Sequence, residues 1–155
     1  FYRRVKMKRS TAREIATHFS YEMSVNDMPA EELLAARLNC PEYYDTLSEE
    51  DSIYSEVPDK NSREYICSIV TGVSEHSAEL DGYIEKYAIG WKFSRISRVA
   101  AAIMRVCMYE ILYMQDVPDS AAVNDAVEIA KKYEPEETVA FINGILGTFI
   151  REEKK

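Results

Sequence analysis

The chain has 155 residues, of which 46% are hydrophobic and 30% charged, and its formal net charge is −8. That length and apolar content suit one compact domain with a proper core, and no apolar run approaches the ~20 residues a membrane-crossing helix needs. The acidic balance excludes indiscriminate binding of polyanions, because most of such a surface repels them.

Residues 1–10 read as a basic arm. Arg3, Arg4, Lys6, Lys8, Arg9 and Arg13 all precede the first acid, Glu14, so any nucleic-acid contact is expected to be local to this end. The arm lacks the apolar stretch of a signal peptide, and a cytoplasmic protein is expected. From residue 11 to 155 the periodicity is helical almost throughout, predicting a single all-α domain.

Thr11-Ala12-Arg13-Glu14 has capping-box form, with a hydroxyl to serve an orphan amide and a glutamate three residues on to reach back. A helix is predicted to begin there, with Ala12, Ile15, Ala16, Phe19 and Met23 as its apolar stripe. Asn26, Asp27 and Pro29 end it and start a short helix that buries Leu33, Leu34 and Leu38. Residues 40–60, with two prolines, many acids and no sustained period, read as a long acidic surface loop, with room for one helical turn after Ser48.

From Asn61 the stripe resumes through Ile66, Ile69, Val70, Val73, Leu80, Ile84 and Tyr87, as one helix or two because Gly72, Ser74 and Ser77 weaken its middle. Ser94 is the predicted cap of the strongest element, Ile96 to Met114, whose face carries Val99, Ile103, Cys107, Ile111 and Met114. Glu110 lies in this apolar stretch, so it needs a structural partner, either Arg105 on an adjoining turn or a neighbouring helix end.

After Pro118, the residues Val123, Ala126, Val127, Ile129 and Ala130 define the next helix. Pro135, Glu136 and Glu137 then open a last one. Within it Asn143-Gly144 has the form of a hairpin turn. The flanking Val139, Ile142, Ile145, Leu146 and Phe149 do not alternate, so helix is predicted. A glycine there costs about 1 kcal/mol relative to alanine. The expectation is that another helix passes close over Gly144, that Asn143 bonds outward to a neighbour, and that Gly144→Ala destabilises.

Catalytic chemistry is sparse. The 2 histidines, His18 and His76, lack metal-ligand spacing, and no phosphate-binding loop, dinucleotide fingerprint or nucleophile elbow is present. Cys40, Cys67 and Cys107 are odd in number and never in CxxC spacing, so reduced, buried thiols are expected. A non-enzyme with no cofactor and no metal is the prediction.

Several stretches together resemble one family. "AREIATHFSYEM" at 12–23, "LDGYIEKY" at 80–87, "IMRVCMYEILYMQDVPDSAAVNDAVEIAKKY" at 103–133 and "FINGIL" at 141–146 resemble the bacterial antitermination factors of the NusB family. The resemblance implies a compact bundle of about six or seven helices in two packed subdomains. It implies a transcription antitermination and termination factor that binds boxA-type single-stranded RNA with NusE, a small-subunit ribosomal protein, in the transcription elongation complex.

By position, the resemblance carries RNA contact onto Lys6, Lys8, Arg9 and Arg13, and onto the aromatics Tyr21, Tyr133 and Phe141. It carries NusE contact onto Ala100, Ala101 and Arg105, although members often have an acid where this chain reads "VAAAIM". The first helix also departs from the family, with Ser10 and Thr11 interrupting its arginines. Two other readings stand beside this one. One is a NusB-like domain serving ribosomal RNA modification, and the other is a homodimer that masks the RNA surface.

Overall fold

The computed structural model describes residues 6–38 and 40–154; Arg3 and Arg4 of the predicted arm lie outside the described residues. Among the described residues all regular structure is helical, as the periodicity predicts, and the chain divides into two compact units, Phe1–Ser74 and Glu75–Lys155. The helices are eight rather than six or seven. No described helix is long and apolar enough to cross a membrane.

The first unit opens with α1, Arg9–Asn26. Its start precedes the predicted capping box, and Thr11 sits inside the first turn. The physical reason lies upstream. Met7 is buried and its N–H donates to Asp59 Oδ1 at 3.2 Å, so the entering chain is already held when the Ala12 N–H reaches Lys8 O at 3.0 Å. The Ser62 hydrogen bond holds the Asp59 carboxyl below its ordinary pKa. Thus part of the predicted arm is anchored, although Lys6 and Lys8 themselves face solvent.

The stripe Ala12, Ile15, Ala16 and Phe19 is fully buried. Asp27, left-handed at φ 49°, ends α1 by donating its N–H to Met23 O. Helix α2, Ala30–Arg37, buries Leu33 and Leu34, and Leu38 follows them into the core.

Residues 40–60 depart from the expected surface loop. They form α3, Pro41–Leu47, and a 3-10 turn, Ser52–Tyr54, whose start Asp51 caps by accepting the Ile53 N–H. Tyr44, Ile53 and Tyr54 are buried, and the Tyr43 ring stands edge-on to Tyr44 at 5.7 Å and to Tyr54 at 5.6 Å. The acids stay outside while four apolar side chains turn in, and because they come from two short elements they show no common period. Helix α4, Lys60–Glu75, completes the unit with Ile66, Ile69, Val70 and Val73 inward.

The weak middle of the long stripe is a true break at His76. Helix α5, Ser77–Tyr87, follows it and buries Leu80 and Ile84. In the second unit α6, Arg98–Tyr113, packs against α5, α7 (Asp119–Tyr133) and α8 (Glu136–Glu153). Being covered on several sides, α6 buries Ala100 through Met104 and Val106 through Met108. Its cap is Ser97, not Ser94, which falls in a 3-10 turn, Phe93–Arg95. Ser97 Oγ accepts the Ala100 N–H at 3.0 Å and donates to Glu134 Oε1 at 2.6 Å.

Glu110 is fully buried, as its apolar setting predicts, but Arg105 is turned elsewhere. The guanidinium grips Asp81 of α5 through Nε at 2.6 Å and Nη2 at 3.2 Å, a geometry that fixes α6 against α5. Of the cysteines only Cys107 is buried; Cys67 is exposed on α4.

"FINGIL" lies inside α8, as the stripe requires. The crowding expected at Gly144 is absent: the residue is exposed, and a Cβ built there meets nothing within 4 Å. Asn143 is likewise exposed. The expected sign of Gly144→Ala is therefore reversed. The variant should stabilise the protein by about 0.5–1 kcal/mol, the helix-propensity difference, measured by urea unfolding.

Candidate nucleic-acid interface

In the first unit the start of α1 gathers the predicted cations. Lys6, Lys8 and Arg9 are exposed at the positive end of the helix dipole, in a sequence with no acid before Glu14. The Arg9 guanidinium lies over the Tyr65 ring of α4, 3.9 Å from its centroid, and is held there by a cation–π contact. Arg13 differs. Only 3% exposed, with its guanidinium 5.8 Å from the same ring, it belongs to the wall that positions Arg9 and offers no face to a phosphate. Tyr21 is 38% exposed farther along α1, on the side opposite the buried stripe.

The second unit holds the other two aromatics. Tyr133 ends α7, 40% exposed, with the Lys132 ammonium 5.4 Å from its ring centroid. Phe141 sits on α8, one position before the buried Ile142, half-exposed at the edge of the core-facing stripe. Its ring meets Trp91, the sole tryptophan, at 5.0 Å between centroids and 48° between planes. Trp91 is not singled out in the sequence reading. Its sequence signal is nevertheless present, since the residues between Glu85 and Glu110 include Lys86, Lys92, Arg95, Arg98 and Arg105 and no acid.

Between α7 and α8 runs an open groove of about 520 Å³, lined by Val127, Lys131, Glu134, Glu136, Val139, Ala140 and Asn143. Charges of both signs meet there, which makes it a poor anion cradle. The positions expected to touch NusE do not form a surface. Ala100 is fully buried, Ala101 is 4% exposed, and Arg105 is engaged with Asp81. They lie on the covered faces of α6, and alanine, having no long side chain, cannot reach out from them.

Among the described residues one trio, Glu14, His18 and Asp51, has ligand atoms within 4.8 Å of one another. His18 Nδ1 is bonded to Tyr54 OH at 2.7 Å, and Nε2 lies 3.8 Å from Glu14 Oε2. These contacts already account for the ring orientation as a link between α1 and the 3-10 turn at Tyr54.

The NusB family profile matches residues 10–151. A transcription antitermination protein NusB from Acetivibrio thermocellus is 41% identical over 145 residues, spanning 94% of this chain and 90% of that protein. The solved structure of T. maritima NusB superposes with a TM-score of 0.77 at 26% identity, covering 96% of this chain and 94% of the other. A structure of antitermination factors NusB and NusE in complex with double-stranded RNA shares the fold, with a TM-score of 0.72 at 22% identity over 92% of this chain and 96% of that one.

Proposed function

The chain belongs to the NusB family, and from that membership we propose that it is a transcription antitermination factor that holds boxA-type single-stranded RNA jointly with NusE. The observation that carries the reading is the family match over residues 10–151, which takes in nearly all of α1 to α8. The charge layout supports it. In a chain of net charge −8, the exposed Lys6, Lys8 and Arg9 form a local cationic site that can neutralise phosphates where the rest of the surface repels them. Tyr21 on the first unit and Tyr133 on the second supply exposed ring faces, and Phe141 a half-exposed one, on which unpaired bases can stack. The activity is non-enzymatic, its setting is the elongation complex, and its compartment is the cytoplasm.

The test is binding of the full chain to a boxA oligonucleotide, a scrambled strand and a duplex, with NusE present, across a salt series. Preference for boxA that survives rising salt is expected; equal affinity for all three RNAs would leave only electrostatics and overturn the reading. Replacing Phe141 with alanine should weaken boxA binding about tenfold, the worth of one base stack, with little change in thermal midpoint. A large loss of thermal stability would instead assign Phe141 to the core.

A further inference from the structure

Trp91 stands on a built turn rather than a loose one. Ala88 is buried as its anchor, the Trp91 N–H donates to Ala88 O at 3.1 Å, and Gly90 takes a left-handed φ of 83°, a conformation that favours glycine. The turn pushes Ile89 and Trp91 outward, 88% and 53% exposed, while Phe141 braces one face of the indole. A rigid aromatic face held open to water is available for something else to cover.

The surrounding charge says what that something is. Lys92, Arg95 and Arg98 follow immediately, all exposed, and none is in an ion pair among the described residues. They are available to neutralise phosphates, with release of the cations condensed on a polyanion. An exposed indole beside unpaired cations, in a segment without a single acid between Glu85 and Glu110, has the composition of a single-strand stacking platform. A duplex does not suit it, since its bases are already stacked on one another.

We propose that Trp91, braced by Phe141 and flanked by Lys92, Arg95 and Arg98, is a base-stacking site for single-stranded RNA. The proposal rests on the RNA-binding reading above and extends it from Phe141 to a platform on the α5–α6 connection. Because Trp91 is the sole tryptophan, its emission reports on the site directly.

The experiment titrates the full chain with a boxA oligonucleotide while following tryptophan emission, and in parallel follows the end-labelled RNA by anisotropy. Emission is expected to quench with the same midpoint as the anisotropy rise. Trp91→Ala should bind about tenfold more weakly with an unchanged thermal midpoint, and Trp91→Tyr should recover most of the loss. Lys92→Ala combined with Arg95→Ala should reduce the salt slope by about one for each phosphate that is no longer neutralised. If wild-type protein selects boxA but its emission is silent and Trp91→Ala binds equally well, the platform is wrong and the function stands. Loss of NusE binding alone in Trp91→Ala would overturn the proposal in favour of a protein-docking surface. Failure of the wild type to bind any RNA by anisotropy, with NusE present as well as without it, removes the platform and the function together.

Discussion

Tyr54→Ala is expected to cost the first unit about 3–5 kcal/mol, the range for deleting a buried aromatic side chain. Tyr54 is 3% exposed at the centre of a ring cluster, with Tyr43 edge-on at 5.6 Å, Tyr44 tilted at 5.9 Å and His18 at 5.7 Å. Burial pushes the Tyr54 phenol well above its ordinary pKa, so it stays neutral where its hydroxyl meets His18 Nδ1. The alanine variant leaves a cavity where the 3-10 turn meets α1, and it removes the Tyr54 hydroxyl that meets His18 Nδ1. Urea unfolding measures the loss, and amide exchange should localise it to α1 and α3. Tyr54→Phe keeps the ring and removes only the hydroxyl, so it should cost about 1 kcal/mol. A loss below that in the alanine variant would mean that residues 40–60 are a surface loop after all.

Phe149→Ala should damage the second unit to a similar extent, by about 3–5 kcal/mol, lowering the thermal midpoint by about 10 °C. Phe149 is fully buried on α8, with Tyr83 edge-on at 5.1 Å and Tyr87 at 6.3 Å, both from α5. Nearby, Tyr87 OH and Lys86 Nζ both donate to Glu153, tying the end of α8 to α5 and holding the Glu153 carboxyl below its ordinary pKa. That exposed polar tie contributes little beside the ring burial. RNA binding should fall in Phe149→Ala only as far as the second unit unfolds and should return on cooling, whereas in Phe141→Ala it stays weak in a folded protein. An unchanged midpoint in Phe149→Ala would refute the placement of this ring in the core.

The helices are legible in the sequence wherever one face repeats over several turns. Ala12 to Phe19, Ile66 to Val73, Ile103 to Ile111 and Ile142 to Phe149 each announce a buried stripe, and each is buried. The resolution of Asn143-Gly144 as helix comes from the same signal, because a stripe at helical spacing outweighs a dipeptide preference. Boundaries are less legible. Both Thr11 and Ser94 have the chemistry of a cap, yet α1 starts at Arg9 and α6 is capped by Ser97. In each case an interaction made elsewhere, Asp59 with the Met7 amide and Glu134 with the Ser97 hydroxyl, selects among competing local options.

The candidate site divides along the same line. That the cations cluster before Glu14, that the chain is otherwise acidic, and that Phe141 falls one position off its stripe follow from residue order alone, because charge runs and helical phase are local properties. Which of those side chains reaches solvent is not local. Arg13 is enclosed and Arg9 is displayed because Tyr65 of α4 comes across the chain to meet them. Gly144 is open because no element approaches it, and Ala100 and Ala101 are shut because three helices surround α6. Trp91 comes to lie on Phe141 through the packing of the second unit, not through any shared motif. Period and charge set which face of each helix is apolar and where the cations stand; exposure and partnership depend on what arrives from remote parts of the chain, and only packing supplies that.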